Sequence, residues 1–320
     1  MTTEQHATGE SLSNHMPPGL VSTFLKALHR NNLKGRTLLT LLLARRMKSL
    51  QDVSIEIGNW PPVHMDLRYV NAHGWFVGTP FSNSPHEVNE QAVMRRFVLP
   101  GTVAFDIGAN FGLHTLLLAE LVGSEGHVVA FEPNTELFPM LARTLKPLTN
   151  TTVFPFALSD KNVESTLFVP DDNTMASLAD WTTSHPGRIS RLFGLGRTRT
   201  LTCSQRRMDD LLKTESISPP DFIKCDVEGA ELMVFRGAHD VLNRREAPVI
   251  LFEAGAESTR GFNLKLTEAA DYLAALHEPA YKFLEVQEQG QLRPVQTENF
   301  KPQNQNIVAV PKSKQNDYRR

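Results

Sequence analysis

Three observations predict an α/β domain with a doubly wound sheet, preceded by a helical extension. From Gly101 onward, short apolar or β-branched runs alternate with longer stretches of helical period. The first run ends on an acid and passes through a glycine-rich turn, DIGANFG at 106–112, into a helix. The second run ends on another acid, Glu132. It lies roughly 20 residues beyond that turn, where dinucleotide folds place a ribose-binding carboxylate.

Taken in order, residues 1–19 are polar, punctuated by Pro17, Pro18 and Gly19, and read as a disordered tail. Residues 20–90 form the extension. Between Val21 and Leu50, Lys26, Arg30, Lys34, Arg36, Arg45, Arg46 and Lys48 interleave with Leu and Phe, and no acid occurs. Two basic amphipathic helices are expected. Packing on the core with the cations in water accounts for them; peripheral contact with an anionic membrane through 21–50 is the alternative. Residues 51–90, broken by Trp60, Pro61, Pro62, Gly74, Gly78 and Pro80, read as irregular strands and turns.

The main domain spans 91–310. Its strands are expected at Thr102–Asp106, His127–Phe131, Thr152–Pro155, Asp221–Cys225, Pro248–Glu253, Tyr281–Val286 and Ile307–Val310. Helices are expected at Gly112–Val122, Thr135–Lys146, Ala230–Phe235 and Leu266–Leu276. Residues 160–206 break the rhythm as an insertion that reads as a substrate lid, with a strand at Thr166–Val169 and a Gly- and Arg-rich stretch from Pro186 to Arg199 that reads as a mobile loop. Residues 311–320 are polar and read as a frayed tail.

Composition narrows the function. With 41% hydrophobic and 21% charged residues, the 320-residue chain has material for a sizeable core. A net charge of -2 argues against nucleic acid, whose binding requires a basic surface. Cys203 and Cys225 are the only cysteines, too few for a disulfide framework and without zinc-ligand spacing. The polar start lacks a secretory leader, and the apolar run around Leu38 to Leu43 is far short of the roughly 20 residues of a membrane span. A cytoplasmic protein is expected.

Asp106, Gly108, Ala109, Asn110 and Gly112 place backbone amides and a helix N-terminus beside a ligand at the end of the first strand. Such turns also serve packing alone. Glu132 can accept both hydroxyls of a ribose, or can begin a helix as a solvated acid in Glu132–Pro133–Asn134. A nicotinamide cofactor and a methyl donor share the adenosine that such a site holds. The dinucleotide fingerprint G-x-G-x-x-G is incomplete in GANFG, and Asn110 suits the amino-acid end of S-adenosylmethionine.

DIGANFG, AFEPN at 130–134, ALSD at 157–160, MDDLL at 208–212, IKCDVEGAE at 223–231 and LFE at 251–253 together resemble the FkbM-type methyltransferases, over roughly residues 90–290. The resemblance implies a class I methyltransferase fold, a Rossmann-like seven-stranded sheet with six parallel strands and one antiparallel. It also implies methylation of an oxygen on a small natural product or sugar. Carried over by position, Asp106, Gly108 and Asn110 would face the methionine part of S-adenosylmethionine, Glu132 the ribose, and Ala157 with Leu158 the adenine, flanked by Phe131 and Pro133. Asp226 would stand beside the transferable methyl.

The base candidates are Asp226, Glu228 and Glu253 at neighbouring strand ends, with His114 and His86 as weaker ones. Each acid also has a structural reading, as a cofactor contact, a helix cap or a loop acceptor. Their carboxylates could instead hold a divalent cation such as Mg²⁺, which is not the favoured reading. Cys225 reads as packing. A nicotinamide-dependent oxidoreductase and a non-catalytic binding protein on the same fold are the rival functions.

Overall fold

The computed structural model describes residues 18–77, 85–170, 176–180, 198–254, 259, 261–295 and 306–315. The expected tail therefore lies outside the described residues up to 17, as does most of the Pro186 to Arg199 stretch. The extension folds as α1 (Pro18–Arg30), α2 (Arg36–Ala44), a hairpin of β1 (Val53–Ile55) and β2 (Val63–Met65), α3 (Val70–Phe76) and α4 (Pro85–Phe97). The sheet domain opens with β3 (Val103–Ile107), α5 (Leu113–Val122), β4 (His127–Phe131), α6 (Phe138–Leu145) and β5 (Thr151–Phe154). Then come β6 (Phe156–Leu158), β7 (Val163–Pro170), β8 (Thr198–Arg206), α7 (Met208–Thr214) and β9 (Phe222–Cys225). It ends with α8 (Glu231–Gly237), α9 (His239–Leu242), β10 (Val249–Glu253), α10 (Glu268–Ala274), β11 (Lys282–Val286), β12 (Leu292–Val295) and β13 (Asn306–Val310).

The main sheet runs β12-β11-β13-β10-β9-β3-β4-β5. Strands β10, β9, β3, β4 and β5 pair in parallel, and β13 is inserted antiparallel between β10 and β11. This is the expected doubly wound α/β sheet with one strand more than the seven predicted. The extra strand, β12, forms an antiparallel hairpin with β11 at the edge. Its Pro294 is tolerated only where no neighbour needs its N–H, so the segment carries none of the apolar continuity that marks a central strand.

VAFDI and VILFE are continuous apolar runs because both faces of their strands are covered. Ala104, Val128, Phe222 and Leu251 face the helices α5 and α6, whereas Phe105, Val129, Ile223 and Phe252 face α8 and α10. Cys225 is fully buried in that second cluster, as packing requires.

The extension is part of this core. Helix α5, LHTLLLAELV, is apolar almost all round, which a helix tolerates only when buried on every side. Val21, Leu25, Leu50, Met65, Phe76, Val93 and Phe97 join its outer face in one cluster. Helices α3 and α4 occupy a region expected to be irregular; Gly74 within α3 and the polar composition of α4 hide their periodicity. At the other end, Pro311 is buried, Lys312–Lys314 make a short 3₁₀ turn, and the Lys314 ammonium donates to the Asp221 carbonyl at 3.1 Å. The expected insertion contributes β7 and β8, which with β6 just before it form a separate three-stranded sheet, β6-β8-β7.

Candidate active site

The carboxyl ends of β3, β4, β9 and β10 meet at one edge of the sheet, beside an open cleft. The turn after β3 begins it. Gly108, Asn110 and Gly112 all have left-handed backbones, with φ of 85°, 54° and 89°. A Cβ on Gly108 would lie 1.9 Å from the Asp226 carbonyl oxygen, so this turn and the one after β9 touch backbone to backbone. Gly108 and Ala109 both donate to the Phe131 carbonyl at 3.0 Å. Gly108, Ala109 and Asn110 line the cleft. Gly112 does not: a Cβ there would meet Leu141 at 2.8 Å, so it admits helix α6 rather than a ligand.

Asp106 is also absent from the wall. It is fully buried one layer beneath, where its carboxylate accepts from the Thr115 hydroxyl at 2.6 Å and faces the Lys224 ammonium at 3.9 Å. Burial pushes its carboxyl above the ordinary range despite that cation.

Glu132 lines the cleft between Phe131 and Pro133. One of its oxygens accepts the Asn110 N–H and the other the Asn134 N–H, each at 2.8 Å, so the second strand end holds the first turn in shape. Burial pushes the carboxyl up to about 7, against the pull of these two amides. Phe156, Ala157 and Leu158 of β6 continue this wall, and Phe131 stacks on Phe154 with ring centroids 5.7 Å apart. The Asn110 side-chain oxygen is buried here without a hydrogen-bond partner among the described residues.

The opposite wall is acidic. Asp226 and Glu228 line the cleft; Glu253 lies behind them, outside its wall, yet one oxygen from each of the three falls within 4.8 Å of the others. Burial, then Asp226 and Glu231, push Glu228 up to about 8. Burial followed by the charges of Asp226 and Glu228 push Glu253 up to about 10. Three carboxylates this close can share protons or hold a hard cation. His114 also lines the cleft, with Nε2 3.4 Å from Glu90, and burial pushes its imidazole down to about 3. His86 is on α4, but its side chain lies outside the described residues.

Sequence reasoning missed Lys224. It is buried on β9 and lines the cleft, its ammonium donating to Asp226 at 3.0 Å. Strand register sets it directly opposite Asp106. Burial disfavours its charge, but Asp226, Asp106 and Glu90 outweigh burial and raise its pKa. The available signal was a lysine inside the apolar strand FIKC, which a doubly covered strand admits only beside a counter-charge. Two further walls also escaped notice: Asn71 and Trp75 of α3, and Ala176 with Leu178 of the insertion, held by the Ser177 hydroxyl donating to the Glu228 carbonyl at 2.9 Å. Of the motifs, MDDLL is a strut, since Asp209 accepts the Asp240 and Val241 N–H groups at 3.1 Å.

A family model described as "Methyltransferase FkbM domain" matches residues 106–285. The AMB antimetabolite synthetase AmbE of Pseudomonas aeruginosa is 27% identical over 177 residues, covering 48% of this chain and 8% of that protein. The hexuronic acid methyltransferase AglP of Haloferax volcanii is 24% identical over 156 residues, 48% of this chain and 57% of that one. The chain thus spans little more than half of one curated relative and a small part of the other. An O-methyltransferase from Bacillus cereus in complex with SAH aligns over 72% of this chain and 82% of its own, with 14% identity and a TM-score of 0.40, a likeness too loose to add to the topology above. The family match spans more than half of the chain and includes both strand-end turns, which decides between the methyl donor and nicotinamide. The chain belongs to the FkbM family of S-adenosylmethionine-dependent methyltransferases.

Proposed function

We propose that the chain methylates a hydroxyl oxygen of a sugar or similarly small polyol, with Glu228 accepting the proton. The observation that carries this reading is the two-sided cleft: polar backbone turns on one wall, and on the other Asp226, with the Lys224 ammonium against it, and Glu228, with Glu253 behind them. The similarity to AglP supports a sugar, and the family match spans residues 106–285.

The residues present suit S-adenosylmethionine, which when bound supplies a methyl group on a positively charged sulfur. The orphaned Asn110 oxygen can accept from its ammonium group, Glu132 retains lone pairs for ribose hydroxyls, and Phe131, Pro133, Ala157 and Leu158 offer an apolar slot for adenine. Asp226, hydrogen-bonded by Lys224, stands on the wall that the donor's cation would face. Glu228 is poised near the working pH, where a general base is most effective, typically adding 10²–10⁴-fold to the rate. Burial and the neighbouring charges of Asp226 and Glu231 keep its carboxyl basic. Holding acceptor and donor in line is the larger contribution, about 7–11 kcal/mol in well-aligned systems.

Labelled methyl transfer to uronic acids, neutral sugars and phenols tests the acceptor class, and Glu228→Gln tests the base. The expected result is transfer to a sugar hydroxyl, lost by about 10²-fold or more in E228Q while S-adenosylmethionine binding is kept. Unchanged turnover in E228Q would remove this residue from the chemistry.

A further inference from the structure

We infer that the outer side of α1 and α2 is a seat for an anionic lipid surface. The inner sides of these helices pack on the core through Val21, Leu25, Leu41 and Ala44. Their outer sides are not the polar faces that packing alone leaves. Leu20 is 59% exposed, Phe24 54%, Leu33 48% and Leu39 37%. These are four of the seven large apolar side chains that stand exposed among the described residues, concentrated in twenty positions. Leu20, Phe24 and Ala27 follow one another at helical spacing along α1.

Charge selects the occupant. Seven lysines and arginines and no carboxylate lie between Val21 and Leu50, whereas the whole chain carries -2, which leaves -9 on the remainder. The segment that exposes these leucines and the phenylalanine is thus the one that carries the excess of positive charge. A second copy would bring the same positive face against this one, so self-association is opposed. An anionic bilayer answers both properties at once, taking leucine and phenylalanine at the acyl boundary and lysine and arginine at the phosphates. Among the described residues no helix is long and apolar enough to cross a membrane, so the contact is peripheral.

Helices α1 and α2 rest on α3, whose Asn71 and Trp75 line the cleft. The seat is thus one helix layer from the candidate site, and an acceptor sugar carried on a lipid would be delivered beside it. That consequence rests on the function proposed above; the binding does not.

Flotation of the purified full chain with phosphatidylcholine vesicles, with and without phosphatidylglycerol, tests the seat. Binding is expected only with the anionic lipid, weakening as salt rises. Lys34→Gln and Lys48→Gln should each weaken it about fivefold, one charge being removed from the surface in each. Phe24→Ser should weaken it at least about tenfold. Phe24 is exposed, so the variant folds; circular dichroism and S-adenosylmethionine titration verify this without reference to any acceptor. Equal binding to neutral vesicles, binding to neither, or full binding by F24S overturns the inference. So does a dimer, seen by light scattering, that F24S dissociates, since the face would then belong to a second copy.

Discussion

Replacing Lys224 by Met keeps the volume and removes the one cation that faces Asp106 among the described residues. At the observed 3.9 Å and an effective dielectric constant of about 20, the lost attraction is ~4 kcal/mol. Measured losses on breaking buried pairs run at about 3–5 kcal/mol, which agrees. Asp226 is more than a third exposed, so water takes over much of its share and nothing is added for it. Burial already holds Asp106 above the ordinary aspartate range, and without Lys224 it titrates higher still. An unfolded aspartate ionises near ~3.9, so the penalty is absent below that pH. It grows as the pH rises towards the new folded pKa and levels off above it. Urea denaturation of K224M followed by circular dichroism at pH 5 and pH 8 should show the larger loss at pH 8. Adding Asp106→Asn should recover most of it. A loss below about 1 kcal/mol, or one that does not change with pH, would refute the assignment of Lys224 as the counter-charge of a buried aspartate.

Gly108→Ala should abolish S-adenosylmethionine binding in calorimetry and lower stability by more than about 3 kcal/mol, because its methyl meets backbone at 1.9 Å and its φ is 85°. Gly112→Ala should cost only about 1–2 kcal/mol and keep binding, because the atom it meets is the flexible end of Leu141. The ligand-free chain should lose stability from pH 6 to pH 9: Glu90, Glu132 and Glu231 are pushed up to about 7 and Glu228 to about 8, so each binds its proton more tightly folded than unfolded. A denaturation midpoint that rises across that range would contradict these burial-driven shifts. Prolonged chelation should leave turnover unchanged, because Lys224 already neutralises Asp226 and its neighbours can hold protons; a loss restored by Mg²⁺ would reassign the three carboxylates as a cation site.

The sheet was legible because its central strands are covered on both faces and so are written as unbroken apolar runs between turns, as in VAFDI, HVVAF and VILFE. The position of the cleft was legible for the same reason: the ends of such runs are where the chain must turn, and Asp106, Glu132 and Asp226 mark three of those ends. What the pattern hid was anything that depends on register or on distant contacts. Lys224 has meaning only once β9 is laid beside β3, opposite Asp106. Gly112 looks like a ligand glycine until α6 is placed against it. The α3 wall and the Ala176–Leu178 contact come from short segments with no period, where burial is set by what the rest of the fold brings near.

Helix α5 also bears on how the catalytic module can be handled. With both its inner and outer sides apolar, it behaves as a layer between the sheet and the extension. A fragment trimmed to the family boundary at residue 106 would bare a strip of leucines to water and aggregate. Recombining this domain with the extension of a relative would require trading the outward-facing residues of α5 together with the helices that cover them. The natural unit of exchange is therefore the whole of α1 to α5, rather than the methyltransferase domain alone.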